Sequence, residues 1–459
     1  MAVVQGRGRR AGAALAMVVA IAACNGEREP VGLPASLENR AVARTMTIAP
    51  AAASIVGVGA TQQFSAEVGT GARLHWESSA PDVATVDDAG LATARGVGRA
   101  IITARGRGVS GTAALEVRPA FASVSAGVSH DCALTASGVA YCWGGNSVGQ
   151  LGDGTTADHP SPLPVAGGLT FAMVSAGWLH TCGVTTSGAA YCWGGNQNGQ
   201  LGDGTTTGRT TPTSVAGGLV FVQVSAGSTV TCGVTTGGAV YCWGDNGAGQ
   251  LGAAGSSVTP VLVADAARFA SVSVGTTHAC AVATDGTAYC WGLNNDGELG
   301  NGTRLGGGPA PVVGGLRFST VSAGGFHTCG VTTDGVAYCW GMNLFKSVGD
   351  GTATQDDRLT PSPVAGDLRF TSLTAALLGK FSDGPDHSCG LTVGGAAYCW
   401  GGFGRNFPTV GSYSPVPVPG GGSFTAVSAA GFHSCGLTAT GEVFCWGGQS
   451  DTMQPARVE

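Results

Sequence analysis

The segment Cys132-Ala133-Leu134-Thr135-Ala136-Ser137-Gly138-Val139-Ala140-Tyr141-Cys142-Trp143-Gly144 sets two cysteines ten residues apart, with Gly138 at a fixed place between them. The pattern returns as Cys182 with Cys192, Cys232 with Cys242, Cys280 with Cys290, Cys329 with Cys339, Cys389 with Cys399 and Cys435 with Cys445. Seven copies account for fourteen of the fifteen cysteines, so one small unit is built seven times.

The first cysteines of successive copies are spaced by 50, 50, 48, 49, 60 and 46 residues. A period near fifty is too long for a solenoid turn of one or two strands and suits a four-stranded propeller blade. In the second copy Phe171 to Gly177 reads as an inner strand, His180 to Thr185 as the next, and Ala189 to Gly194 as the third. Gly199 to Thr205 follows, then an outer strand near Pro212 to Val215. Small residues on the inner strands suit the crowding at a propeller axis. With 80 glycines, 43% hydrophobic and only 11% charged residues, the chain fits short strands and tight turns rather than helices or disorder. Closure of the ring is expected through blade packing without strand exchange, because no spare strand precedes Phe121.

These units resemble RCC1-type repeats (regulator of chromosome condensation). The shared wording is Val-Ser-Ala-Gly-x-x-His, then Tyr-Cys-Trp-Gly-x-Asn-x-x-Gly-Gln-Leu-Gly-Asp-Gly-Thr, as at Val174 to His180 and Tyr191 to Thr205. The resemblance covers about three quarters of the chain and implies a propeller over 119–459. The Gln-Leu-Gly-Asp-Gly-Thr loop decays to Gln250-Leu251-Gly252-Ala253, then to Glu298-Leu299-Gly300-Asn301, and is nearly lost in the last two copies. Cysteine stands where eukaryotic members usually carry an apolar residue.

Residues 44–118 alternate at period two and break every eight to twelve residues, the pattern of a small sandwich. Trp76-Glu77-Ser78-Ser79, Pro81 to Val86 and Gly90 to Ala94 resemble bacterial Ig-like domains of group 2. Trp76 is expected in the inter-sheet core. The whole is an all-β chain: a seven-bladed propeller preceded by a small Ig-like sandwich.

Residues 1–23 carry Arg7, Arg9 and Arg10 before a short apolar run ending Ile21-Ala22-Ala23-Cys24. The run is too short to span a bilayer and reads as a signal segment. Small residues before a lone cysteine resemble the lipobox of bacterial lipoproteins, which implies lipidation of Cys24. An ordinary signal peptide is the competing reading. Residues 24–43 read as a tether. The expected location is the cell envelope, at the outer membrane or cell surface, held by the lipid anchor only.

Export bears on the paired cysteines. Three turn residues ending in Gly138 fit a type I turn with a left-handed glycine. That register sets Thr135 opposite Val139 and Cys132 opposite Cys142, on a rung where Cα atoms lie about 4.5 Å apart. In an oxidising compartment seven matched pairs read as seven disulfides. Reduced cysteines packed between blades, and Cys2His metal sets, are the competing readings; a closed zinc site needs four ligands.

His130, His180, His278, His327, His387 and His433 recur two residues before the first cysteine, with Val230 in the third copy. A catalyst needs one such histidine, so a ring of them is expected to be structural, as are the repeated tryptophans. The Gly-Asp-Gly-Thr loops offer too few oxygens for calcium and no lysine for a phosphate loop. No metal or cofactor is expected.

Binding sites on a propeller are sought where the repeat breaks, and here that is between Cys339 and Cys389. The interval holds Phe345, Lys346, Asp356, Asp357, Arg358, Lys380, Phe381, Asp383 and Asp386, including both lysines of the chain. Charge and aromatics in inserted loops suit recognition of a protein or glycan, while a tolerated insertion is the bland alternative. A net charge of −6 and no basic block argue against nucleic acid. The expectation is a monomeric, non-catalytic binding or scaffold protein. The alternatives are a polysaccharide hydrolase or lyase using Asp356, Asp383 and Asp386, and guanine nucleotide exchange, which the resemblance implies and export opposes.

Overall fold

The computed structural model describes residues 46–67, 73–263, 267–377, 386–402, 411–420, 422–448 and 453–459. Cys24 and the tether lie outside the described residues, as do Lys380, Phe381 and Asp383.

The N-terminal part is a sandwich. One sheet has Ala52–Val56 in parallel with Val109–Arg118, which continues antiparallel to Gly98–Gly106 and then to His75–Ser78. The other joins Thr61–Gln63, Leu91–Ala94 and Ala84–Val86. Period-two alternation puts Ala100, Ile102 and Ala104 inward, where they meet Phe64 and Trp76. Trp76 is a core residue, as its sequence context predicts.

Then come seven four-stranded antiparallel sheets, each built from consecutive strands. In the first, Phe121–Ala126, His130–Thr135, Ala140–Gly144 and His159–Pro164 run from the axis outward. The seventh uses Phe424–Ala430, His433–Thr438, Val443–Gly447 and Ala456–Arg457. No strand is exchanged between the first and last sheets among the described residues. The ring closes by packing: Phe121 N–H donates to Gly441 O at 2.9 Å, and Phe121 packs on Leu437 and Val443.

Seven disulfides staple the blades, one each, in the pairing that the register predicts. Cys132 is bonded to Cys142, Cys182 to Cys192, Cys232 to Cys242 and Cys280 to Cys290. Cys329 is bonded to Cys339, Cys389 to Cys399 and Cys435 to Cys445. The reduced-cysteine and metal-ligand readings are therefore set aside. Each pair is a direct cross-strand pair; Cys242, Cys290 and Cys399 face Cys232, Cys280 and Cys389 just as Cys142 faces Cys132. Thr135 N–H donates to Val139 O, as the turn register requires. Gly138 sits at φ +80°, where a side chain is strained. The Cα separation of 4.1 Å across the first bridge is a little tighter than a flat ladder gives.

Three belts of hydrogen bonds join neighbouring blades, and each answers a question the sequence leaves open. The inner strands would present unpaired N–H groups. Ser125 Oγ accepts from Ala176 N–H at 3.0 Å, and Ser175, Ser225, Ser273, Ser322 and Ser428 repeat the contact. The inner serines are therefore acceptors as well as small.

The second belt uses the tryptophans. Trp193 Nε1–H donates to Gln150 O of the preceding blade at 2.9 Å, and Trp243, Trp291, Trp340 and Trp400 repeat this. Gly152 lies against the Trp193 indole at φ +72°, and a Cβ there would sit 2.6 Å from Nε1. This packing explains the Gln-Leu-Gly wording of the loops.

The third belt is the histidines. His130 Nε2 meets Thr181 Oγ1 of the next blade at 2.7 Å, and Thr181 donates its own proton to Gln150 O at 2.9 Å. The hydroxyl must then accept from His130, which fixes the proton on Nε2. The pairs His180–Thr231, His278–Thr328, His327–Ser388 and His387–Ser434 follow suit. Where Val230 replaces the histidine, the next blade carries Ala279 in place of the hydroxyl, and both are fully buried in one apolar cluster. Donor and acceptor are lost together, because either alone would be buried unpaired. At the seam Asp131 replaces the hydroxyl and accepts from His433 at 2.8 Å.

The Val230–Ala279 pair suggests a direct check. Thr231→Ala leaves the His180 N–H without an acceptor and is expected to cost about 1–3 kcal/mol. Adding His180→Val recreates the apolar pair and is expected to recover about 1 kcal/mol of the sum of the single losses. Urea melts of the four proteins measure the coupling; simple additivity would contradict this account.

Candidate binding face

Antiparallel succession places the loops after first and third strands at one end of the ring. That end carries the short loops 127–129, 177–179 and 227–229, and the long loops 145–158, 195–208, 293–306 and 342–357. The other end is made of Gly turns such as Ser187-Gly188 and short connections. Of the interval between Cys339 and Cys389, the loop 342–357 lies at this loop-rich end.

The long loops are rigid through their own side chains. Asn146 Oδ1 accepts from Leu151 N–H, and its amide donates to Thr155 O. Asp153 accepts from the backbone and hydroxyl of Thr155, and Asp203 and Asp350 do the same with Thr205 and Thr352. Arg209 and Arg358 close on Asp203 and Asp350 at 2.8 and 2.7 Å. Burial works against these three carboxylates, yet their donors outweigh it and hold their pKa values below the usual range: Thr205 with Arg209 on Asp203, Thr352 with Arg358 on Asp350, and Thr155 with Asn146 and His159 on Asp153. The carboxylates thus serve their own loops, which fits a turn rather than a calcium loop.

The predicted contact residues divide by role. Asp356 is exposed, and Phe345 and Lys346 are half-buried beside exposed Leu344. Lys346 lies over the Tyr413 ring, 4.5 Å from its centre. Asp357 and Arg358 are braces. Asp357 accepts from Arg304 of the preceding blade's loop at 2.9 Å and from Asn343 N–H, while Arg358 also donates to Asp356 O. They shape the face from within it.

Asp386 corrects the sequence expectation. It is fully buried, and its Oδ2 lies 2.7 Å from His327 Nδ1. Adjacency to a long loop suggested exposure; the carboxylate instead reaches across to the preceding blade's histidine. His327 Nε2 meets Ser388 Oγ at 2.7 Å, which reproduces a serine–histidine–aspartate order. The chemistry differs, because Ser388 donates to Ser347 O as the other hydroxyls of the belt do, and all three residues are fully buried. The serine is a link in the belt with no atom offered to a substrate.

Two further titratable groups mark the site. Glu298 stands where the first three blades have glutamine and is fully buried, with Oε2 accepting from Asp296 N–H and Oε1 unpaired. Burial chiefly, with Asp296 and Asp357 nearby, pushes it up to about 7. Asp131, His433 and Cys435 lie close enough to suggest a metal cluster. Cys435 is bonded to Cys445, so only the Asp131–His433 pair remains.

Seven four-stranded sheets in a ring, with the long loops at one end, define a β-propeller. The family profile for the RCC1-like domain matches residues 93–382, well over half of the sequence, and the chain belongs to that family. The regulator of chromosome condensation (RCC1) repeat matches 424–451, and the bacterial Ig-like domain (group 2) matches 42–117. Among solved structures, Prp20p from Saccharomyces cerevisiae is 21% identical with a TM-score of 0.60, over 71% of this chain and 87% of that one. Human WBSCR16 is 19% identical with a TM-score of 0.61, over 71% and 89%. Yeast RCC1 (Prp20) bound to Kap60 is 20% identical with a TM-score of 0.59, over 70% and 83%. At these identities the likeness is one of fold. No curated protein matches the chain.

Proposed function

We propose that the protein is a non-catalytic, monomeric binding or scaffold lipoprotein of the cell envelope, which presents the loop face of its stapled propeller to a protein or glycan partner. The observation that carries this reading is the segregation of the long, side-chain-braced loops to one end of the ring. Preorganised loops on a rigid framework are the arrangement that recognition surfaces use. The lipobox at Ala22-Ala23-Cys24 supports anchoring, and the sandwich supports a spacer role. Yeast RCC1 is described bound to Kap60, and Prp20p is described with binding properties to Gsp1p and histones, so the fold is one that carries protein partners. The hydrolase reading loses support, because Asp386 is in the core.

Two measurements test this. Cys24→Ser is expected to move the protein from the membrane to the soluble fraction and to abolish a diacylglycerol mass increment; unchanged fractionation overturns the anchor. Immobilised mature protein is expected to capture a discrete envelope component, and Leu344→Asp with Asp356→Arg to weaken capture about tenfold. Capturing nothing, together with turnover of envelope glycans, would sink the binding reading.

A further inference from the structure

Nine tryptophans occur in the chain. Seven belong to the cysteine repeats and Trp76 to the sandwich, which leaves Trp178 in the short loop 177–179 of the second blade. The equivalent positions elsewhere are Val128, Ser228, Thr276, Gly325 and Gly431, none of them aromatic. Trp178 is half-buried at the loop face and lines a cavity of about 230 Å³ formed by loops of the first three blades.

The walls have a distinct chemistry. Trp178, Leu179 and Val148 supply apolar surface, and Gln197 and Asn198 supply exposed amides. Ser228 also lines the cavity; it is fully buried, and its hydroxyl has no hydrogen-bond partner. None of the lining residues is Asp, Glu, Lys, Arg or His. The nearby Asn196 is already committed to its own loop through Leu201, Thr205 and Thr207. Gln200 and Thr229 also line the cavity but are buried, Gln200 Oε1 accepting from Asn198 N–H and the Thr229 hydroxyl donating to Asp245, so polar recognition falls to Ser228 and the two exposed amides.

From this we infer that the cavity is a binding pocket for a neutral sugar ring. A charged ligand would lose water and find no counter-charge. A wholly apolar ligand would leave the Ser228 hydroxyl buried and unpaired. A pyranose has a C–H face to lie on the indole, and hydroxyls that both donate and accept opposite a hydroxyl and two amides. The pocket is small, so one ring enters and the rest of a glycan lies over Gln197 at the rim. The inference rests on the loop face being a recognition surface, and it names the ligand class and place.

The test uses isothermal titration of the mature protein with the methyl glycosides of glucose, galactose, mannose and N-acetylglucosamine, and of glucuronate as a charged control. At least one neutral glycoside is expected to bind saturably and more tightly than glucuronate. Trp178→Ala is expected to weaken it about tenfold or more, Trp178→Phe by less, and Ser228→Ala several-fold. Circular dichroism melts check that the variants stay folded. No saturable binding of any neutral glycoside, equal affinity in Trp178→Ala, or preference for glucuronate overturns the pocket. Capture of an envelope protein by the Trp178→Ala variant separates the readings: retained capture with lost sugar binding supports both. Retained capture when wild type binds no sugar removes the pocket alone.

Discussion

Reduction of the seven disulfides is expected to unfold the propeller at ambient temperature. Each bridge closes a loop with a sequence separation of 10. In the chain-entropy model a loop of that size is worth about 2–3 kcal/mol. Seven such constraints together match or exceed the roughly 5–15 kcal/mol by which a domain is usually stable. The same burial that makes the bridges useful makes them slow to reduce. Cys132, Cys182, Cys232, Cys280, Cys329 and Cys389 are fully buried, and so are their partners Cys142, Cys192, Cys242, Cys290, Cys339 and Cys399. Only Cys445 of the seventh pair is partly exposed. Native protein in dithiothreitol is therefore expected to lose Cys435–Cys445 first, with the other six lost together as the ring opens. Alkylation at intervals followed by mass spectrometry reads that order. Replacing one buried pair by alanines (Cys182→Ala with Cys192→Ala) is expected to cost about 2–3 kcal/mol in a urea melt of otherwise oxidised protein. A fully reduced protein that keeps its melting temperature would show that packing alone holds the ring.

The fold was legible because the repeat writes it seven times. The Gly138 turn and its copies determine the register, and the register alone puts Cys132 opposite Cys142. Ring closure was legible for a similar reason: no strand is left over before Phe121. The belts between blades were not, because they join residues about fifty positions apart. His130 and Thr181 look unrelated along the chain. A clue was nonetheless present in the paired loss at Val230 and Ala279, which makes sense only if the two positions touch. Asp386 shows the opposite failure. Its neighbours in sequence are an insertion, so local composition suggests a surface, whereas its partner is His327 in the preceding blade. Trp178 was visible as the tryptophan that no repeat explains. Its meaning needs the three loops that surround it, and those come together only in the ring.

Mild acid is expected to destabilise the protein steeply. Burial pushes His130 down to about 4, and His180, His278 and His387 down to about 3, with a neighbouring histidine adding to the effect in each and Asp131 partly opposing it at His130. The folded state thus holds these four imidazoles neutral, while the unfolded chain takes up protons near the ordinary 6.5. Their contribution is complete above 6.5 and is lost as the pH falls towards 3–4. His433 works the other way. Burial opposes its charge, but the Asp131 carboxylate outweighs burial and raises its pKa. Its contribution is therefore present below 6.5 and fades only as the pH rises above that. Glu298, pushed up to about 7, keeps a proton that the unfolded chain releases above 4.5, and this offsets about one histidine in the same window. Between 4.5 and 6.5 the unfolded state then binds about three more protons than the folded one, so stability falls by about 4 kcal/mol per pH unit. Denaturant melts of the oxidised protein from pH 7.5 to 4.5 measure that slope, and the disulfides keep it from being masked by reduction. The His180→Val, Thr231→Ala double variant removes one of the four imidazoles and is expected to flatten the slope by about 1.4 kcal/mol per pH unit. A stability that stays level down to pH 5 would mean that the belt histidines carry protons in the folded ring. The donor direction assigned to each His–Thr pair would survive that result, but the neutral belt would not.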